Sequence, residues 1–216
     1  MDYNTTLGSM KTQLHRTYLI PLFATLLFII PPAVFAYDTI TIASFNPRIF
    51  GTTKAEKPAI LQEIASIIRR FDIVAVQKIR DKSETAPKEL LTAVNADGSY
   101  HYDMLIGPRL GRTSSKEQYA FFYRTSSVVP IGSTTIWQDT SDKFEREPFF
   151  AMLMTAQSNT YDRMAETISM QEDWTGIWNV LRFDEDPSFE AKGLKALDNS
   201  DHYPAWASFY VDRDTD

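Results

Sequence analysis

The run from residue 39 to residue 76 constrains this chain more than any other, because two apolar stretches there flank an amphipathic one. Thr39-Ile40-Thr41-Ile42-Ala43-Ser44-Phe45 alternates and is β-branched at its start, which predicts a strand, and Asn46-Pro47 then breaks it. Over 58–70 the apolar residues Ile60, Leu61, Ile64, Ile67 and Ile68 recur at helical spacing, with Pro58 near the first turn and Arg69-Arg70 at the end. That pattern predicts an amphipathic helix. Phe71-Asp72-Ile73-Val74-Ala75-Val76 follows as a near-continuous apolar run, the mark of a strand covered on both faces. Strand, helix and strand in so short a stretch imply a layered α/β core.

Downstream, 86–95 reads as a helix, and 100–106, 119–124 and 128–137 read as strands separated by Gly, Pro and Ser punctuation. A further apolar run covers 149–154, and 174–183 with 205–211 supply the closing strands. No repeat or low-complexity tract is visible, and the eight glycines build no phosphate-cradling loop. At 216 residues, 44% hydrophobic and 23% charged, the chain can bury one sizeable core. Its net charge of −6 argues against holding nucleic acid or anionic lipid by a bulk positive field, so any polyanion must be met locally. The absence of cysteine excludes disulfides, thiolate zinc sites and cysteine nucleophiles. Histidine is restricted to His15, His101 and His202.

Residues 1–36 read as an address. Lys11 and Arg16 precede an apolar run of 13 residues from Tyr18 to Ile30, and Pro31-Pro32 and Ala33-Val34-Phe35-Ala36 follow. The run is shorter than the ~18–20 residues that span a bilayer. The expectation is a secretory signal cleaved after Ala36, which takes the net charge to −7 and removes His15. An uncleaved anchor, or a true start downstream at Met10, is the alternative. With cleavage, the product is secreted or periplasmic and keeps no stable membrane association.

Polar clusters lie near the predicted strand ends, where ligand sites of layered α/β folds gather. They are Phe45-Asn46, Gln77-Lys78-Ile79-Arg80-Asp81, Gly111-Arg112 with Lys116-Glu117, Arg146-Glu147-Pro148, Tyr161-Asp162-Arg163 and Ser200-Asp201-His202-Tyr203-Pro204. Together with Ile42-Ala43-Ser44 and Arg69-Arg70-Phe71-Asp72-Ile73-Val74, and in this order, they resemble the deoxyribonuclease-I-like branch of the endonuclease/exonuclease/phosphatase superfamily. The likeness runs over 40–148 and resumes from 159. It implies a four-layer α/β/β/α sandwich over 37–216 and Mg2+- or Ca2+-dependent hydrolysis of double-stranded DNA. By the same resemblance His202 is the general base and Asp162 the carboxylate that fixes its tautomer. Asn46 and Asp201 lie about the phosphate and the cation. Arg80, Arg112, Arg146 and Tyr161 meet the DNA or support the site, and Glu117 orients a second catalytic histidine.

Two departures stand out. Where the family carries a metal-ligating glutamate after Gln77, this chain has Lys78, and an ammonium has no lone pair for a hard cation. We expect Lys78 to pair instead with Asp201 or another site carboxylate. The chain also passes from Met154 almost directly to Asn159, so an internal block near 154–159 is missing, with the second histidine and part of one sheet. His101, in an aromatic strand-like segment, reads as packed and structural. The expectation is an endonuclease-like protein of impaired activity with an incomplete sheet and exposed apolar surface. A catalytically inactive nucleic-acid-binding relative is the alternative, and a phosphatase or phosphodiesterase on the same fold a second.

Overall fold

The computed structural model describes residues 39–156 and 173–211; the expected signal segment, Tyr161, Asp162 and Arg163 lie outside them. Along the chain come β1 (Thr39–Phe45), α1 (Thr52–Ala55), α2 (Pro58–Ile68), β2 (Ile73–Ile79), α3 (Ala86–Asn95), β3 (Tyr102–Ile106), β4 (Gln118–Arg124), β5 (Val128–Ile136) and β6 (Phe149–Thr155). Further along follow β7 (Trp174–Val180), a 3-10 turn at Phe183–Glu185, α4 (Pro187–Glu190), α5 (Ala196–Asn199) and β8 (Ala205–Tyr210). The class is the expected mixed α/β. A six-stranded sheet has the order β3-β4-β2-β1-β8-β7, with β1 and β2 parallel and the other pairs antiparallel, and β5 and β6 form a two-stranded sheet.

The helical period of α2 turns Ile60, Ile64, Ile67 and Ile68 inward, where they meet Phe45, Val74, Val76 and Phe122 from the large sheet and Leu90 and Val94 from α3. The other face of the sheet carries Ile73 and Tyr123, with Ile40, Ile42, Leu105 and Phe121, and is covered by Val128 and Leu153 of the small sheet. Phe121 stacks on Phe149 at 5.6 Å. β2 is thus buried on both sides, as its unbroken apolar run implies. Strand β6 alternates, with Phe149 inward and Phe150 and Met152 outward. Phe150, Met152, Trp137 and Ile131 leave apolar surface exposed at the small sheet.

A buried polar knot joins the opposite sheet end. Asp72 accepts from the backbone N–H and hydroxyl of Thr41 at 2.9 and 2.8 Å and from Arg124 Nη1 at 2.8 Å, and Arg124 also donates to the Tyr102 hydroxyl at 3.1 Å. These bonds tie β1, β3 and β4 to the start of β2. His101 corrects an expectation. It is exposed, β3 begins one residue later, and its carbonyl accepts from Thr125 N–H at 2.9 Å. Its role is in the backbone of that turn rather than in packing.

Register fixes where the polar clusters meet. β1 and β2 run side by side in one direction, with Phe45 opposite Val76, and β8 returns beside β1 with Ala205 opposite Ser44. Strand β4 enters beside the end of β2, with Gln118 opposite Ile79. Asn46, Lys78 to Arg80, Glu117 and Asp201-His202 therefore lie at one end of the strands of the large sheet.

Candidate active site

The loop leaving β1 makes the first wall. Arg48 and Ile49 both adopt positive φ, 45° and 53°, which is costly for any side chain and most so for a β-branched one. The loop is held by what surrounds it. Asn46 Oδ1 accepts from Arg48 N–H at 3.0 Å, and Phe50 bridges to β2, donating to the Lys78 carbonyl at 3.0 Å and accepting from Arg80 N–H at 2.7 Å. Gly51 permits this approach, since a Cβ there would lie 2.6 Å from the Arg80 carbonyl oxygen.

The second wall is the segment between α5 and β8. Its Ser200 hydroxyl donates to the Asn46 carbonyl, and His202 N–H donates to Ser200 Oγ at 2.8 Å. Asn46 and His202 are thereby brought into contact, with Asn46 Nδ2 3.3 Å from His202 Nδ1. Asp201 Oδ1 lies closer, at 2.7 Å from the same ring nitrogen. One nitrogen cannot donate to the carboxylate and accept from the amide at once. The shorter, charged contact prevails, so Nδ1–H donates to Asp201 and Nε2 keeps its lone pair. The bond from His202 holds the Asp201 carboxyl below its ordinary range.

Asp201 is thus the imidazole's partner within the described residues, whereas the sequence assigned that role to Asp162, which lies outside them, and gave Asp201 to the cation. Its second oxygen is 3.8 Å from Arg48 Nε. The expected Lys78–Asp201 pair is absent, because His202 and Arg48 already occupy that carboxylate. Lys78 itself lies inside β2, at a bulge between Val76 and Ile79 with φ 53°, and not in a loop after it. Bulges of this kind re-aim a side chain at a strand end.

The remaining expected residues fall into separate places. Glu117 is buried, and Arg146 Nε lies 3.1 Å from its Oε2, off the hydrogen-bonding direction, while Arg146 Nη2 donates to the Ser115 carbonyl at 3.1 Å. Glu117 therefore has an arginine to neutralise it. No hydrogen bond or ion pair links this couple to His202 among the described residues. Arg112 donates to the carbonyls of Asp142 and Phe144 at 2.6 and 2.9 Å and pairs with the Asp142 carboxylate at 2.8 Å, so it braces the loop before β6. Tyr161 lies outside the described residues. Arg80 lines a pocket of about 430 Å³ together with Arg48, Lys54 and Lys57, with Asp198 at its margin. Of that basic set the sequence pointed only to Arg80. Arg48 is marked in retrospect by its place two residues after Asn46; Lys54 and Lys57 carry no spacing signal.

A divalent cation fits this set poorly. Mg2+ and Ca2+ ask for several oxygen ligands. Here one carboxylate is engaged by an imidazole, one amide oxygen by a backbone N–H, and Arg48, Lys78 and Arg80 add positive charge. No group of three or more His, Asp or Glu side chains converges among the described residues.

No family model matches the chain. Deoxyribonuclease-1 of Gallus gallus is 38% identical over 116 residues, 51% of this chain and 41% of that protein. The Rattus norvegicus enzyme is 40% identical over 114 residues, 51% and 40% respectively, and Homo sapiens deoxyribonuclease-1-like 2 is 35% identical over 108 residues, 50% and 36%. The matched stretch spans about two fifths of these relatives' length. Among solved structures, endonuclease/exonuclease/phosphatase family proteins of Bacteroides thetaiotaomicron and Bacteroides vulgatus align with TM-scores of 0.40 and 0.38 at 16% identity. They cover 56% and 55% of this chain and 48% of each neighbour. Over about half of its length the chain is thus similar in sequence to deoxyribonuclease-1 and deoxyribonuclease-1-like 2.

Proposed function

We propose that the chain binds the phosphodiester backbone of double-stranded DNA at the end of the large sheet where β1 finishes and β8 begins, and retains the base half of a nuclease site, with hydrolysis strongly impaired. The observation that carries this reading is the Asp201–His202 pair, with Nδ1 committed and Nε2 free, beside Asn46 and the basic pocket. In the chemistry this supports, His202 Nε2 accepts a proton from a water molecule as its oxygen attacks phosphorus. Asp201 stabilises the imidazolium that results. Asn46, Arg48 and Arg80 meet the charge on the non-bridging oxygens as the P–O ester bond breaks. The leaving oxygen takes its proton from solvent, because no described acid stands beside His202.

Loss of one member of a cooperating catalytic set costs on the order of 10⁴–10⁶ in rate. Lys78 in place of a cation ligand and the missing second histidine each remove a member. The apolar segment at 18–30 supports export of the protein. Of the alternatives, a DNA-binding relative without catalysis shares every residue of this reading except a working His202. The motif order leaves a phosphatase less well supported.

Plasmid relaxation with and without chelator tests the proposal, alongside anisotropy of a fluorescent duplex across a salt series. Weak nicking that is lost in His202→Gln, with salt-dependent binding, is the expected outcome. Robust chelator-sensitive nicking overturns the impairment, and binding unaffected by Arg48→Ala with Arg80→Ala overturns the site.

A further inference from the structure

We infer that Lys54 is a positioning residue for this site: its ammonium pins the loop that carries Asn46 to the segment that carries Asp201 and His202. The inference rests on the proposed role of His202. Lys54 Nζ donates to the carbonyls of Pro47, Arg48 and Asn199 at 2.7, 2.9 and 2.8 Å. An ammonium has three donors, and all three are spent on backbone. Two go to the loop after β1 and the third to the end of α5, which is 145 residues further along the chain.

This use of a lysine is unusual in a basic pocket. Its three N–H donors go to carbonyl oxygens of the two segments whose spacing sets the Asn46–His202 contact of 3.3 Å. The Ser200–Asn46 bond also ties these segments, and it lies one residue from the Lys54 contact on each side. The loop also needs a clamp, since Arg48 and Ile49 both hold positive φ. Burial pushes the Lys54 amine down to about 8, with Arg48 and Lys57 acting in the same direction and Asp201 and Asp198 against it. The neutral amine keeps two donors, so one of the three carbonyls loses its partner once the proton leaves.

Because the chain has no cysteine, Lys54→Cys introduces a single thiol. Alkylation with 2-bromoethylamine converts it to thialysine, an ammonium of nearly the original reach, and methyl methanethiosulfonate gives a neutral counterpart. The readout is the His202 ring signal in a proton–carbon correlation spectrum of the full chain, identified by its loss in His202→Gln. We expect the signal to move in the thiol and neutral forms and return in the thialysine form, with His101 unmoved. Nicking should fall by up to about 100-fold and recover with it, the loss that a displacement of about 1 Å can cause.

A His202 signal unmoved in the neutral form overturns the inference, even if thermal stability falls. Movement and rescue with no nicking in any form uphold Lys54 and reject the nuclease reading instead. Should Lys54→Cys not fold, the unmodified chain supplies the same test. Its His202 signal should show an inflection near pH 8 as Lys54 deprotonates, and a flat trace there counts against the clamp.

Discussion

Replacing Asp81 with asparagine should destabilise the protein at neutral pH and do progressively less harm as the solution is acidified. Asp81 is buried just after β2, one residue beyond Arg80. Oδ1 accepts from Ser83 N–H and hydroxyl at 2.8 and 2.6 Å, and Oδ2 accepts from the Thr85 hydroxyl at 3.3 Å and from Ala86 N–H at 2.8 Å, the first residue of α3. Burial alone would raise its pKa, but the Ser83 hydroxyl and the N–H groups of Ala86 and Ser83 outweigh it and bring it from 3.8 to about 2. At about 1.36 kcal/mol per tenfold, that drop corresponds to a contribution of about 1–2 kcal/mol. The folded carboxyl is the stronger acid, so its contribution is complete above the unfolded value of 3.8 and is lost as pH falls through about 2. In the Asp81→Asn variant the amide's NH2 must face one of the N–H donors, which removes the benefit at every pH. Urea unfolding of both proteins at pH 7, 4 and 2.5 measures the difference, in which other acid-labile carboxyls cancel. A gap of about 1–2 kcal/mol at pH 7 that narrows by half or more at pH 2.5 is expected. A gap independent of pH would refute the assignment of Asp81 as a charged cap.

Asn199 is fully buried and neither atom of its side-chain amide has a partner, so Asn199→Leu should stabilise by about 1–2 kcal/mol, seen as a rise of a few degrees in Tm; an unchanged or lower Tm rejects this. Asp72→Ala strands Arg124 at 16% side-chain exposure and should cost about 3–5 kcal/mol by urea unfolding, with part recovered in the double variant carrying Arg124→Met; full additivity of the two would dissolve the pair. Lys78→Glu should lower the Kd for Mg2+ by about tenfold in calorimetric titration while leaving nicking near background, because no second imidazole stands beside His202 among the described residues; nicking that recovers in full would show that the cation ligand alone was lacking.

The large sheet was legible because its strands and helices carry strong periods. Helix α3 spans the predicted 86–95, and β1 the predicted 39–45. The misjudged boundaries have local causes. Arg69 caps α2 in helical geometry, and a turn then delays β2 to Ile73, so the predicted 58–70 and 71–76 each moved. At the other end, Gln77 and Lys78 looked like a loop by polarity, yet the backbone continues through the bulge and pairs Ile79 with Gln118. Polarity reports which side chains face water and does not report where a ladder ends. Helices α1, α4 and α5 each have four residues, one turn, and a single turn has no period to read.

The site divides along the same line. His202 and Asn46 could be placed together from sequence because each stands beside a strand whose pattern is strong, and antiparallel β1 and β8 bring the end of one beside the start of the other. What the imidazole does there depends on geometry that no spacing encodes. Asp201 is adjacent in the chain, and adjacent side chains on an extended strand point to opposite faces. Residues 200–204 are not strand: His202 N–H bonds back to Ser200 Oγ, and that tight turn lets neighbouring side chains meet at 2.7 Å. Ser200 in turn is fixed by Asn46, and Asn46 lies on a strained loop that gives two carbonyls to Lys54, whose third acceptor is the Asn199 carbonyl beside Ser200. The segment that carries the Asp201–His202 pair is therefore tied to the loop after β1 by a lysine on a one-turn helix 145 residues earlier in the chain, a contact that exists only once the sheet has brought the two segments together.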